Sequence, residues 1–140
     1  MRSAWFAAYF TEGHTYCHHE ATFHNHSMDL PQFDHVGNAD SGYVLRKDWV
    51  EAIGPHKIVI VHRPVEEVEA SLRGIGQTDT RWLLDQMVPV LEQLDGLHIH
   101  FDEINTRLKD IHDYLELPGY DPWRASLFSK MNIQSKYWRK

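Results

Sequence analysis

HKIVIVHRPVEEVEASLRGIG, residues 56–76, reads as a strand, a sharp corner and an amphipathic helix in one run. Ile58, Val59, Ile60 and Val61 form a short β-branched stretch, the pattern of a strand covered on both faces. Pro64 suits the first turn of a helix, where its missing N–H costs little. Val65, Val68, Leu72 and Ile75 then recur at helical spacing. Arg63 is thereby expected at the carboxyl end of a parallel strand, the edge where open α/β sheets bind ligands. Ser71 follows Pro64 by seven residues, close to two helical turns, so it returns to nearly the same face. A planar cation and a hydroxyl so placed can hold one phosphate. The plainer alternative is a surface arginine and a serine bonded back to a carbonyl one turn earlier, since many α/β units contain such residues.

Outward from this block the chain alternates. Towards the C-terminus, Leu83, Leu84, Met87, Val90, Leu91 and Leu94 predict a helix over 80–94, with Pro89 expected to kink or break it. A strand is expected over 97–101. Ile104, Leu108, Ile111 and Leu115 mark a further helix, stopped by Leu117-Pro118-Gly119. A short helical segment and a basic end (Lys136, Arg139, Lys140) follow Asp121. Towards the N-terminus, a helix is expected over 43–53, closed by Gly54-Pro55, and short strands over 35–39 and 14–19. Residues 21–34 are mixed, and 3–10 form a first helix with Ser3 as its N-cap and Gly13 beyond its end. Strands alternating with helices indicate an α/β fold with a mainly parallel sheet. The first helix has no strand before it.

The composition bounds the function. The chain has 140 residues, the length of one domain with a real core, so residues 1–140 are expected to form a single domain with 121–140 as its basic tail. A formal net charge of -6 argues against broad nucleic-acid binding but leaves room for a local anion pocket. The single cysteine, Cys17, excludes an internal disulfide and fits a reducing compartment. No apolar run approaches a membrane span, and residues 3–10 are too short for a signal peptide. The expected location is cytoplasmic.

Three stretches resemble the P-loop sulfotransferases, which take a sulfuryl group from 3′-phosphoadenosine 5′-phosphosulfate. The first runs from Val59-Ile60-Val61-His62-Arg63 to Glu67-Val68-Glu69-Ala70-Ser71. In the family an arginine and a serine at this spacing hold the donor's 3′-phosphate, which implies that role for Arg63 and Ser71. Pro64 directly follows the arginine here, whereas the family usually has one residue between them. The second stretch is Met1-Arg2-Ser3-Ala4-Trp5-Phe6-Ala7, similar to the end of the family's phosphosulfate loop as it opens a helix. A helix N-terminus beside a cation is a ready anion site. The resemblance implies that Arg2 and Ser3 help to hold the 5′-phosphosulfate, while the preceding strand, the first half of the loop and the lysine found there in many members are missing. The third is Cys17-His18-His19-Glu20, where the resemblance implies Glu20 or His19 as the base that takes the acceptor's hydroxyl proton.

On this resemblance the expected fold is a three-layer α/β sandwich with a mainly parallel sheet and P-loop-NTPase-like topology, its first strand missing. The expected donor substrate is 3′-phosphoadenosine 5′-phosphosulfate, with no metal required, and the acceptor is a small molecule or a glycan. No nucleic acid and no membrane are expected as partners. A sheet lacking a central strand exposes edges, so a homodimer is among the expectations. Two other functions stand beside it: a P-loop nucleotide kinase-like phosphotransferase, which needs a full phosphate loop and Mg²⁺, and a truncated or non-catalytic nucleotide-binding remnant. His14, His18, His19, His24, His26 and His35 also raise a transition-metal site as a rival. They lack a His-Glu-x-x-His pattern, and scattered surface histidines are the default. Glu66, Glu67 and Glu69 read as a solvated helix face.

Overall fold

The computed structural model describes residues 3–13, 15–19, 34–39 and 57–131, with the backbone alone at Ser3, Ala4, Tyr16, His18, His19 and Asn38. The protein is mixed α/β, and the described residues contain two small parallel sheets of two strands each. The helix expected over 43–53 and the basic end lie outside the described residues. Contacts divide the chain into two compact units, one from residues 1–52 and 131–140, the other from 53–130.

The first unit contains α1 (Ser3–Phe10), β1 (Thr15–His19) and β2 (His35–Ala39). All three fall where the residue pattern places them. Helix α1 is apolar around much of its circumference, which requires burial on more than one side. Trp5, Ala7, Tyr9 and Phe10 are buried. Residues four apart stand over one another on a helix, so Trp5 stacks on Tyr9 with ring centroids 5.2 Å apart and Phe6 on Phe10 at 6.0 Å. The chain leaves the helix through a tight turn in which Glu12 and Thr15 exchange two backbone bonds of 3.0 Å. Gly13 supplies the positive φ of 58° that this turn needs. The Thr11 hydroxyl accepts the Cys17 N–H at 3.0 Å and donates to its carbonyl at 3.3 Å, pinning the helix end to β1. Strands β1 and β2 pair in parallel from Thr15↔His35 to His19↔Ala39.

The second unit begins with β3 (Val59–His62), followed by α2 (Val65–Arg73), α3 (Arg81–Gln93) and β4 (Leu97–His100). A 3₁₀ helix (Phe101–Thr106), α4 (Leu108–Leu115) and α5 (Pro122–Ser129) complete it. Strands β3 and β4 are parallel, paired from Val59↔Leu97 to His62↔His100. Ile60 is buried on one face of the pair and Ile99 on the other. Cover on both faces is therefore confined to the centre, and the remaining β3 residues are half-buried. Gly96 permits the close approach of the strands: a Cβ there would lie 2.3 Å from the Ile58 carbonyl oxygen. That oxygen accepts the Leu97 N–H at 3.0 Å and starts the ladder.

The structure refines two of the expected elements. Of the kink or break expected at Pro89, helix α3 shows no break, and the proline costs one internal bond to the carbonyl a turn earlier. The helix expected from Ile104 onward is split, with a 3₁₀ segment up to Thr106 and α4 from Leu108. The Thr106 hydroxyl donates to the Glu103 carbonyl at 3.0 Å, a local bond that competes with regular helix. Ile104, Leu108 and Ile111 are all fully buried, so one apolar stripe runs across the break and hides it from periodicity. No described helix is long and apolar enough to cross a membrane.

Candidate functional site

The carboxyl edge of the β3–β4 pair carries the site. His62 and His100 are register partners, so the next residues of the two chains, Arg63 and Phe101, emerge side by side. The Arg63 guanidinium carbon sits 4.2 Å from the centre of the Phe101 ring, a cation–π contact that fixes its plane. Its Nε donates to Glu67 Oε2 at 3.1 Å. Glu67 is reachable because Pro64 caps α2 and places Glu67 in the first turn of that helix. The side chain of Arg63 is 23% exposed. Among the described residues its two Nη groups meet no acceptor, so the guanidinium is held at Nε and over the ring with its fork unengaged.

The opening turn of α2 adds donors. Glu67 and Val68 give their N–H groups to the Pro64 carbonyl, at 3.0 and 3.2 Å. The N–H groups of Val65 and Glu66 precede the first helical acceptor and are the free donors of a helix N-terminus. No side chain caps them. Ser71 is half-buried, one turn beyond Glu67 on the same face. Among the described residues its hydroxyl makes no hydrogen bond to protein, so the back-bonded alternative is not what the structure holds. A rise of about 1.5 Å per residue puts Ser71 roughly 9 Å along the helix from Val65.

The other predicted residues are placed less fully. Arg2 and Glu20 lie outside the described residues. Ser3 is the first residue of α1 and His19 the last of β1, each described in its backbone alone. These four belong to the first unit, whereas Arg63 and Ser71 belong to the second. The structure brings Arg63 together with Glu67 and Phe101. Glu67 stood in the sequence as part of a solvated acidic face, and its spacing of four from Arg63 was the available signal for the pair. Phe101 had no local signal, because its position beside Arg63 follows from the register of strands 35 residues apart.

A second group also escaped the sequence reading. His62, His98 and His100 share one face of the β3–β4 pair, because Ile60↔His98 and His62↔His100 are register partners. By the same alternation Arg63 and Phe101 follow on the opposite face. His62 Nε2 and His98 Nδ1 are 2.6 Å apart, and His98 Nε2 is 2.7 Å from the Leu94 carbonyl oxygen. Burial, then the neighbouring His98 and His100, push the His62 imidazole below its ordinary value, with Glu92 opposing. Among the described residues no three His, Cys, Asp or Glu side chains are placed to hold a metal ion. Of the histidine-rich stretch 14–35, only His35 has a described side chain.

No protein-family model, curated protein or solved structure matches the chain.

Proposed function

We propose that the Arg63 edge binds the phosphate of a nucleotide and that the chain is a sulfotransferase-like protein using 3′-phosphoadenosine 5′-phosphosulfate. The observation that carries this reading is the Arg63 guanidinium, clamped by Phe101 and Glu67 with its Nη groups unengaged at the carboxyl edge of a parallel pair. A pre-oriented fork suits a phosphate monoester, which accepts two parallel N–H bonds. The Ser71 hydroxyl supplies a further donor of the kind a 3′-phosphate takes. The Glu67 carboxylate repels an anion, and its bond to Nε spends one of the five arginine donors. It also holds the side chain in one rotamer, which lowers the entropy cost of binding.

The finer fold, a three-layer P-loop-type sandwich, belongs to this proposal. So do the roles of Arg2 and Ser3 on the 5′-phosphosulfate and of Glu20 or His19 as base. In the reaction the acceptor oxygen bonds to sulfur as the sulfur–oxygen bond to the 5′-phosphate breaks. The base takes the acceptor's proton, and adenosine 3′,5′-bisphosphate leaves.

Calorimetric titration with adenosine 3′,5′-bisphosphate tests the binding half. The wild-type chain is expected to bind and Arg63→Ala to lose about ten- to a hundredfold in affinity, the weight of one or two charge-assisted bonds. Absence of binding by the wild-type chain, or equal affinity in the variant, overturns the assignment. Glu67→Gln is expected to bind somewhat more tightly, since it removes the repulsion.

A further inference from the structure

Three elements meet through two imidazoles. The Leu94 carbonyl at the C-terminal cap of α3 can only accept, so the His98 Nε2 beside it carries a proton. In neutral His98 the other nitrogen, Nδ1, is then a bare acceptor. It faces His62 Nε2 at 2.6 Å, so that nitrogen donates. The rings lie within 16° of parallel with centroids 4.9 Å apart, which describes two rings end to end across a hydrogen bond. Each tautomer in the chain is set by the one before it. What remains is His62 Nδ1, a lone pair that no described residue engages.

We propose that the His62–His98 pair is an acid-sensitive latch that ties the end of α3 and β4 to the carboxyl edge of β3. The order of protonation follows from the tautomers. A first added proton goes to His62 Nδ1 and leaves the shared bond intact, because Nε2 still donates. A second has only His98 Nδ1 to go to, and that atom is the acceptor of the bond. The doubly charged pair has two N–H groups facing each other and must part.

The groups facing the pair set where this happens. From β4, His100 lies with its ring 6.1 Å from that of His62 and opposes a charge on His62. From α3, Glu92 favours protonation of His62. Arg107, from the turn between the 3₁₀ helix and α4, donates to the His98 carbonyl at 3.3 Å and places a permanent cation near the strand. Arg63 follows His62 directly but emerges on the other face. Glu67 pairs with Arg63, and Glu103 and Asp110 pair with Arg107, so the charge that opposes a second proton is that of the facing imidazoles themselves. The pair should titrate as a coupled unit, not as two independent histidines.

Nitrogen-15 NMR of the full chain, labelled at histidine, tests this together with unfolding measured from about pH 7.5 to 4.5. His98 and His62 are both expected in the Nε2–H form near neutrality. The pair should take up protons in two separated steps. Stability should fall through the acid range more steeply in the wild-type chain than in His98→Gln, which keeps a donor for Leu94 and removes the titrating acceptor. The opposite tautomer at either ring, two independent titrations near the ordinary value of about 6.5, or equal slopes in the two chains overturns the latch. If His98→Gln does not fold, the wild-type spectra decide alone.

Discussion

At Gly96 the missing side chain matters more than any present one. A Cβ would meet the Ile58 carbonyl oxygen at 2.3 Å and the Ile60 side chain at 2.7 Å, and the first of these is backbone that cannot swing aside. Gly96→Ala is expected to destabilise the protein by about 2–3 kcal/mol, the scale of an overpacked core, as read from urea unfolding. A variant with unchanged midpoint would show that the strands can separate freely at this point. Cys17 is a residue whose chemistry is set by its place in β1: burial pushes its thiol up to about 12, partly offset by a backbone hydrogen bond at Ala39. Relative to its ordinary value of 9.0 this leaves about a thousandfold less thiolate at neutral pH. A disulfide reagent at pH 8 should react slowly until denaturant is added, and complete reaction within minutes in the native state would contradict it. Arg63 was legible from its own neighbours, but the ring that orients it was not. Arg63→Lys should therefore lose nearly as much bisphosphate affinity as Arg63→Ala, because an ammonium keeps the charge and loses the plane and the fork. Affinity close to wild type in the lysine variant would mean that charge alone suffices.

The ends of helices show how local chemistry makes an element. Helix α5 starts at Pro122 with Asp121 Oδ1 accepting the Trp123 N–H at 2.9 Å, an N-cap followed by proline at the first helical position. Asp121→Ala should cost about 1 kcal/mol in thermal or chemical unfolding, and Asp121→Ser much less. Helix α4 ends less comfortably. Glu116 adopts φ 56° with the Leu117 N–H bonded to the His112 carbonyl at 3.0 Å, the closing geometry that glycine normally serves. Its ion pair with Lys57 at 3.0 Å is largely exposed and offsets little of that strain. Glu116→Gly should therefore stabilise the protein by roughly 0.5–1 kcal/mol, and a lower melting temperature would show that the ion pair matters more than the backbone. The apolar spacing that announced α4 also ran through the 3₁₀ segment before it, since both helix types turn much the same residues inward over so short a span. Periodicity could place the buried stripe there but could not place the break.

For the molecule as a whole, pH is the variable to which the described histidines are most exposed. His62 is held below its ordinary value when folded, so in acid the unfolded chain binds more protons than the native one. Its contribution to stability is complete above about 6.5, declines as pH falls through that value, and levels off below the folded one. The melting temperature is accordingly expected to be lower at pH 5.5 than at 7.5, with part of the difference removed in His62→Gln. Strands and helices read from one stretch of chain were recovered at nearly every described position, because the apolar spacing that marks an element is a property of consecutive residues. The Arg63 corner was likewise readable, being a strand end, a proline and a helix start within a few residues. The pairing of strands could not be read in this way. Which residue of β4 lies beside which residue of β3 depends on register, and register is set by contacts between segments more than thirty residues apart. By itself the sequence determined the elements and the cation at their junction. Only the tertiary structure decided that Phe101 orients that cation and that three histidines from two strands share one face. Both follow from the same two-residue alternation in neighbouring strands, which no single strand reveals.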